Sequence, residues 1–366
     1  MKPLTFGLRP KRSFTRSLAL IGLVALAGCS RVSESRLTEE RAQKTQGEAQ
    51  KGSPKAAPEK RNEAPKTTVE SEAQRKERAR GPASGEQAYR FETSGRLVAI
   101  GDLHGDFEAT RAVFRLVGAT DASDRWAGGT LTIVQTGDQL DRGDGERSIL
   151  EFLERLVGEA RAAGGRLIVL NGNHETMNAL GDFRYVTAGA LRAFDGPEES
   201  PHAQVFPSQL RGRASAFLPG GVWAKKLAER PIIVQVNDVL FAHAGVRAPH
   251  VDYGIERLNR ETSAWLRGEL KNPPRLITDE EGPLWTRVYG NPELDETACS
   301  VLARALDRAK ARRMVVGHTV QQGGVSAACD ERVYRIDVGL SAYYGGRSIQ
   351  ALEILPSGTR VLMGSR

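Results

Sequence analysis

The stretch Leu97-Val98-Ala99-Ile100-Gly101-Asp102-Leu103-His104-Gly105-Asp106 joins four apolar residues to a glycine-flanked polar cluster. A short apolar run that stops at Gly reads as a buried strand feeding a tight turn. The pattern recurs along the chain. Leu131–Val134 leads to Gly137-Asp138-Gln139-Leu140-Asp141-Arg142-Gly143-Asp144, and Leu167–Leu170 leads to Asn171-Gly172-Asn173-His174-Glu175. Later, Val239–Phe241 leads to Ala242-His243-Ala244-Gly245, and Met314–Val316 to Gly317-His318-Thr319. Further apolar runs lie at 232–236, 333–336, 349–354 and 360–363. Helical stripes fall between the strands, near Phe107–Val117, at Ile149, Leu153, Leu156, Val157 and Ala160, and at Leu302, Leu306 and Ala309. Strands alternating with helices predict an α/β fold with helices on both sheet faces. Ligands bind at the carboxyl ends of the strands in such folds, which is where each polar cluster falls.

The histidines sharpen this reading. Of the six in the chain, His104, His174, His243 and His318 sit in these strand-end clusters, while His202 and His250 lack motif context and read as surface or packing residues. Four histidines converging with Asp102, Asp138, Asp141 and Asn173 point to metal coordination. Imidazole, carboxylate and amide oxygen donors suit first-row divalent ions such as Mn, Fe or Zn. No thiolate lies nearby, which argues against a closed structural zinc site.

The clusters, taken in order, read Gly-Asp-x-His-Gly, Gly-Asp-x-x-Asp-Arg-Gly, Gly-Asn-His-Glu, His-Ala-Gly and Gly-His. This set resembles the calcineurin-like metallophosphoesterases, and more narrowly their phosphoprotein-phosphatase branch. The resemblance spans roughly residues 95–345. It is strongest to the Shewanella-like (Shelph) phosphatases, through Gly101–Asp106, Gly172–Tyr185, Gly282–Arg287, Val315–Val320 and Arg335–Gly346. The resemblance implies two packed mixed β-sheets flanked by helices. It also implies two divalent metal ions: Asp102, His104 and Asp138 would hold one, and Asp138, Asn173, His243 and His318 the other. A hydroxide bridging them would attack phosphorus, with Arg142 and Arg287 clamping the phosphate. His174 would protonate the leaving oxygen and Asp141 would orient that imidazole.

Three departures place the chain within the superfamily. Gly317-His318-Thr319-Val320 lacks the second His of many phosphodiesterases, and Gln139-Leu140 stands where purple acid phosphatases have a Tyr ligand. Ser341–Tyr344 differs from the Ser-Ala-Pro-Asn-Tyr loop of eukaryotic serine/threonine phosphatases, so their substrate preference does not carry over. The stretch 176–230 is long for a connection and reads as a helical, cap-like insertion at the active edge, carrying Arg184, Arg192, Arg211 and Arg213.

With 366 residues and 40% hydrophobic side chains, the chain can bury a large core, which rules out a wholly disordered or multi-span membrane protein. Its net charge of +7 suggests a nucleic-acid partner until the charge is divided along the chain. Residues 1–29 hold five basic and no acidic residues, 30–90 hold 14 basic and 10 acidic, and 91–366 hold 33 basic and 35 acidic. The excess therefore lies outside the part that folds, and a nucleic-acid partner is not expected. The basic start, the apolar run Leu18–Ala27 and the tetrad Leu26-Ala27-Gly28-Cys29 make an export leader and resemble a bacterial lipobox. An ordinary signal peptide with an incidental cysteine is the alternative.

The expected organisation is a lipoprotein signal peptide over 1–28, a lipidated Cys29 with a polar tether to residue 90, and a catalytic domain over 91–366. Ser30 after the cysteine suits the periplasmic face of an outer membrane. The remaining pair, Cys299 and Cys329, is expected to form a disulfide in an exported domain. The expected substrate is a phosphorylated protein or a small phosphomonoester. Hydrolysis of dinucleoside polyphosphates and a catalytically silent metal-binding lipoprotein are the alternatives. If Cys29 is the anchor, cells fed labelled fatty acid will label the full chain but not Cys29→Ser. Label retained by the variant would refute the anchor.

Overall fold

Leu97–Ile100 forms a strand whose four residues are all buried, and the rest of the architecture is arranged around it. A computed structural model of the chain describes residues 89–196, 200–346 and 348–365. The leader, Cys29 and the tether up to residue 88 lie outside the described residues. Eleven strands are described: β1 (Arg90–Phe91), β2 (Leu97–Ile100), β3 (Thr132–Gln135), β4 (Arg166–Val169), β5 (Ile233–Val236), β6 (Val239–Ala242), β7 (Arg313–Val316), β8 (Ser326–Ala328), β9 (Val333–Arg335), β10 (Ile349–Leu355) and β11 (Gly358–Gly364). They form two mixed sheets, in the orders β1-β5-β6-β7-β9-β8 and β11-β10-β2-β3-β4. Arg90 pairs with Gln235 in β5, so the folded domain includes residues expected as tether.

The side-chain alternation of the strands explains the layering. Val98, Ile100, Ile133, Leu167 and Val169 pack with Val113 and Phe114 of the helix Phe107–Leu116 and with Ile149, Leu153 and Leu156 of the helix Glu146–Ala162. Leu97, Ala99, Val134 and Ile168 face the other way, onto Val234, Val236, Phe241 and Val315 of the second sheet. The outer face of that second sheet packs on helices Ile255–Leu266 and Glu296–Ala309 through Leu258, Trp265, Leu302 and Leu306. The result is two sheets face to face with helices outside. Helices therefore cover one face of each sheet, not both as the alternation of elements suggested. Strands buried on both faces are apolar throughout, and an apolar face does not reveal whether a helix or a sheet covers it. Each fully buried aliphatic or Phe side chain contributes roughly 1.5–3 kcal/mol through apolar burial.

Register aligns the active edge. β2, β3 and β4 run parallel with Ile100 opposite Gln135 and Gln135 opposite Val169, so their carboxyl ends are level. β6 and β7 are parallel with Ala242 opposite Val316, which sets His243 beside His318. The stretch 176–230 contains the helices Ala188–Arg192, Ser208–Phe217 and Val222–Leu227 and a short 3₁₀ helix, Pro201–Val205. Cys299, in the first turn of the helix Glu296–Ala309, is joined to Cys329 with Cα atoms 5.4 Å apart.

His250 lies buried in the helix Ala248–Tyr253, with its Nδ1 accepting the Arg247 backbone N–H at 3.1 Å. Burial, helped by the Arg247 charge, pushes its pKa down to about 4. Below the ordinary His value of about 6.5 the unfolded chain takes up a proton that the folded chain refuses until about pH 4, so stability falls across that window. The loss is at most about 3 kcal/mol at 1.36 kcal/mol per pKa unit. Urea midpoints at pH 7 and 4.5 should therefore fall further for the wild type than for His250→Gln. Equal falls in the two proteins would refute the assignment.

Candidate metal centre

The loops after β2, β3 and β4 are bound to one another before any ligand is considered. The backbone N–H groups of Leu103 and His104 both donate to the Asp138 carbonyl at 2.9 Å. The Glu175 carboxylate accepts the backbone N–H groups of Asp138, Gln139, Leu140 and Gly172 at 2.6–3.1 Å. Two glycines make room for the carboxylates. A Cβ on Gly172 would lie 2.1 Å from Asp138 Oδ1, and one on Gly317 would lie 2.3 Å from Asp102 Oδ1. His104, Asp138, Asp141, Arg142 and His318 all adopt positive φ, between 44° and 68°. Such backbone is costly for non-Gly residues and persists where surrounding bonds fix it, which is typical of functional sites.

These loops and those after β6 and β7, which carry His243 and His318, bring together all six expected ligands. Asp138 Oδ2 lies 3.6 Å from His104 Nε2 and 3.3 Å from His243 Nε2. His104 Nε2 is 3.8 Å from Asp102 Oδ2. On the other side, His243 Nε2 is 2.8 Å from Asn173 Oδ1 and 3.1 Å from His318 Nδ1. Two groups of side chains able to hold an ion emerge, His104–Asp138–His174 and Asp138–His243–His318, with Asp138 in both.

The tautomers favour cations. His104 Nδ1 bonds the Leu140 carbonyl at 3.1 Å and His243 Nδ1 bonds the Thr136 carbonyl at 3.0 Å. Both therefore carry hydrogen on Nδ1 and turn an Nε2 lone pair toward Asp138. Lone pairs of nitrogen and oxygen then converge with few protons between them, an arrangement that a metal ion relieves. Burial holds the His104 pKa down to about 3 and that of His318 down to about 2, so both imidazoles are neutral, as ligands must be. Burial, reinforced by Asp337 and Asp138, pushes Asp102 well above the usual carboxylate range. Burial opposes ionisation of Asp138 too, but His243, His174 and His104 outweigh it and hold its pKa well below that range. The donor set fits hard or borderline divalent cations.

Beside the cluster stands a second set of groups. His174 Nδ1 bonds Asp141 Oδ2 at 2.5 Å, which leaves Nε2 facing the cluster, 3.8 Å from Asp138 Oδ2. Burial lowers the His174 pKa, but Asp138 and Asp141 more than reverse this and raise it, which favours the protonated ring. Arg142 Nη1 reaches to 3.3 Å from His104 Nε2, while its Nε is buried without a hydrogen-bond partner among the described residues. The rings of Tyr185, Tyr343 and Tyr344 surround its guanidinium at 5.2–5.5 Å. Arg287 donates to Thr319 Oγ1 at 3.0 Å, next to His318 and exposed. His202 is exposed and His250 buried within the helix Ala248–Tyr253, outside both ligand groups.

Several participants carried no role in the sequence reading. Glu175 sits inside a quoted motif, yet its four backbone partners come from two loops. Asp337 is 1% exposed, its pKa pushed up to about 6 by burial, and it adds negative charge against Asp102. Its Ile336-Asp337 step after β9 repeats the strand-then-acid pattern of Ile100–Asp102, which was the available signal. The tyrosines offered none, because only the fold brings residue 185 to residues 343 and 344.

Residues 95–322 match the calcineurin-like phosphoesterase family. Shewanella-like protein phosphatase 2 of Arabidopsis thaliana is 38% identical over 308 residues, covering 75% of this chain and 78% of its own length. Shewanella-like protein phosphatase 1 of Plasmodium berghei (strain Anka) is 30% identical over 258 residues, 68% of each chain. A solved structure described as a cold-active protein tyrosine phosphatase superposes with a TM-score of 0.61 at 26% identity, over 75% of this chain and 78% of that one. Family members use two divalent metals, in agreement with two ligand groups joined by Asp138. Fold, ligand clusters and relatives together establish that the chain belongs to the calcineurin-like metallophosphoesterases and, within them, to the Shewanella-like protein phosphatases.

Proposed function

We propose that the protein is a dinuclear-metal phosphomonoesterase of the phosphoprotein-phosphatase type, with phosphotyrosine in proteins or peptides as the favoured substrate. One observation carries the reading: His104 and His243 converge on Asp138 beside the His174–Asp141 pair and the Arg142 guanidinium, where the strand ends of the two sheets meet. In this reading Asp102, His104 and Asp138 hold one cation, and Asp138, Asn173, His243 and His318 hold the other. Two divalent cations there supply Lewis-acid charge and lower the pKa of the attacking water.

The chain's own groups do the rest. Arg142 offers a planar fork with an unpartnered Nε to the equatorial phosphate oxygens. Arg287 is the second clamp, standing beside His318 through Thr319. His174 gives the Nε2 proton to the leaving oxygen, while Asp141 fixes the ring through Nδ1. Tyr185, Tyr343 and Tyr344 form an aromatic wall on which a phenyl leaving group can stack, with Tyr185 and Tyr343 exposed. The solved relative described as a protein tyrosine phosphatase supports the same preference. Export and a lipid tether at Cys29 belong to the proposal. The leader pattern supports them, and the bridge between Cys299 and Cys329 suits an oxidising compartment.

Mn-loaded protein should hydrolyse p-nitrophenyl phosphate and release phosphate faster from phosphotyrosyl than from phosphoseryl peptides. His174→Asn should lose about 10²–10⁴-fold in kcat, the range for a positioned acid. Asp138→Asn should lose activity together with bound metal, read by mass spectrometry as fewer than the about two ions per chain expected for the native centre. Unchanged turnover in both variants would sink the site. Faster cleavage of dinucleoside polyphosphates than of phosphopeptides would move the substrate to nucleotides. Metal binding with no turnover of any phosphoester would leave a silent metal-binding protein.

A further inference from the structure

Arg213 comes from the helix Ser208–Phe217 of the 176–230 insertion, far in sequence from every ligand, and it is 0% exposed. Its Nη1 donates to Glu146 Oε2 at 2.5 Å and its Nη2 to Asp141 Oδ1 at 3.4 Å. Its Nε donates to Asn178 Oδ1 at 2.7 Å, and the Asn178 amide in turn donates to Asp141 Oδ1 at 3.2 Å. Glu146 closes the circuit by accepting the Asp141 backbone N–H at 2.5 Å. Phe194 and Phe217, both from the insertion, flank the guanidinium at 5.2 and 4.9 Å.

This circuit determines how Asp141 can act. Arg213 is itself one donor to Oδ1, and with the His174 carbonyl, which accepts from the Asn178 Nδ2 at 2.8 Å, it sets which way the other donor, the Asn178 amide, points. Oδ2 is thereby left to His174. Asp141 and Glu146 are two buried carboxylates in contact through the Asp141 backbone. A guanidinium shared between them bonds both and holds the Asp141 carboxylate in a fixed orientation. The Asp141 backbone also has a φ of 68°, which the Glu146 bond holds and which sets the direction of the carboxylate.

We infer that Arg213 is a positioning residue for His174, acting through Asp141, so that the insertion completes the acid machinery and does not merely cover the site. The inference rests on the acid role of His174 proposed above. The test compares two substrates: 2,4-dinitrophenyl phosphate, whose phenolate departs without a proton, and phenyl phosphate, whose phenolate needs one.

For Arg213→Met, kcat on phenyl phosphate should fall on the order of 10–100-fold, part of the 10²–10⁴ that a positioned acid supplies. On 2,4-dinitrophenyl phosphate it should change little, and metal content should stay at the wild-type level. Removing the cation strands two buried acids, so the double variant Arg213→Met/Glu146→Gln, which removes one charge and keeps an acceptor for the Asp141 N–H, and Arg213→Lys carry the comparison if the single variant does not fold. His174→Asn is the reference. Equal losses on both substrates in the Arg213 variants, with His174→Asn still selective for phenyl phosphate, would overturn the inference. Equal losses in His174→Asn itself would instead overturn the acid role beneath it.

Discussion

The Glu175 carboxylate is the interaction on which the site depends. Fully buried, it accepts four backbone N–H groups, three from the loop after β3 and one from the loop after β4. An anion satisfied in this way holds two chain reversals in register at once. It fixes Asp138 at positive φ and places the start of the helix Asn173–Ala179 so that the His174 backbone N–H donates to Asp138 Oδ1 at 3.0 Å. Asn173, His174 and Asp138 therefore take their positions from one carboxylate whose bonds go to backbone N–H groups. Asp106 does related work at the first loop, where its side chain caps the helix Phe107–Leu116 and accepts the Ala342 N–H at 2.7 Å. That contact brings the tyrosine-bearing turn against the His104 loop.

Around this frame the site separates two demands. Cation binding as proposed requires neutral imidazoles and converging lone pairs: burial keeps His104 and His318 neutral, and the Nδ1 bonds of His104 and His243 to backbone carbonyls turn their Nε2 lone pairs inward. The acid role proposed for His174 requires a protonated imidazole, and the carboxylates of Asp138 and Asp141 favour it by outweighing burial. Neighbouring histidines, with ring centroids of His104 and His174 only 4.8 Å apart, are thus driven in opposite directions by what each faces. Asp141 takes its support from Glu146, Asn178 and Arg213, on the side away from the expected ligands.

Much of this was legible in the chain. Gly101–Asp106, Gly137–Asp144 and Gly172–Glu175 each couple an apolar run to a turn rich in ligands, and the parallel register places those turns together as the pattern requires. The six expected ligands, the His174–Asp141 pair and Arg142 were all within such local signals. Layering was less legible, because Leu97 and Val98 are equally apolar although one faces a sheet and the other a helix. Arg213 was visible only as one of several arginines in a long connection. Arg184 and Arg192 from the same stretch are exposed, while Arg213 is buried against Asp141 and Glu146, and nothing local distinguishes them.

By itself the sequence singled out the side chains suited to binding cations, moving a proton and gripping a phosphate. It could do so because all of them except Arg287 sit within a few residues of a strand end, where local geometry is dictated by glycine and strand periodicity. The tertiary structure alone decided how that chemistry is tuned. The support of Asp141 by Arg213, the adjacency of Asp337 to Asp102 and the tyrosine wall around Arg142 join segments far apart in the chain. Contacts of that kind follow from how sheets, helices and the insertion pack, and packing leaves no periodic trace in the sequence.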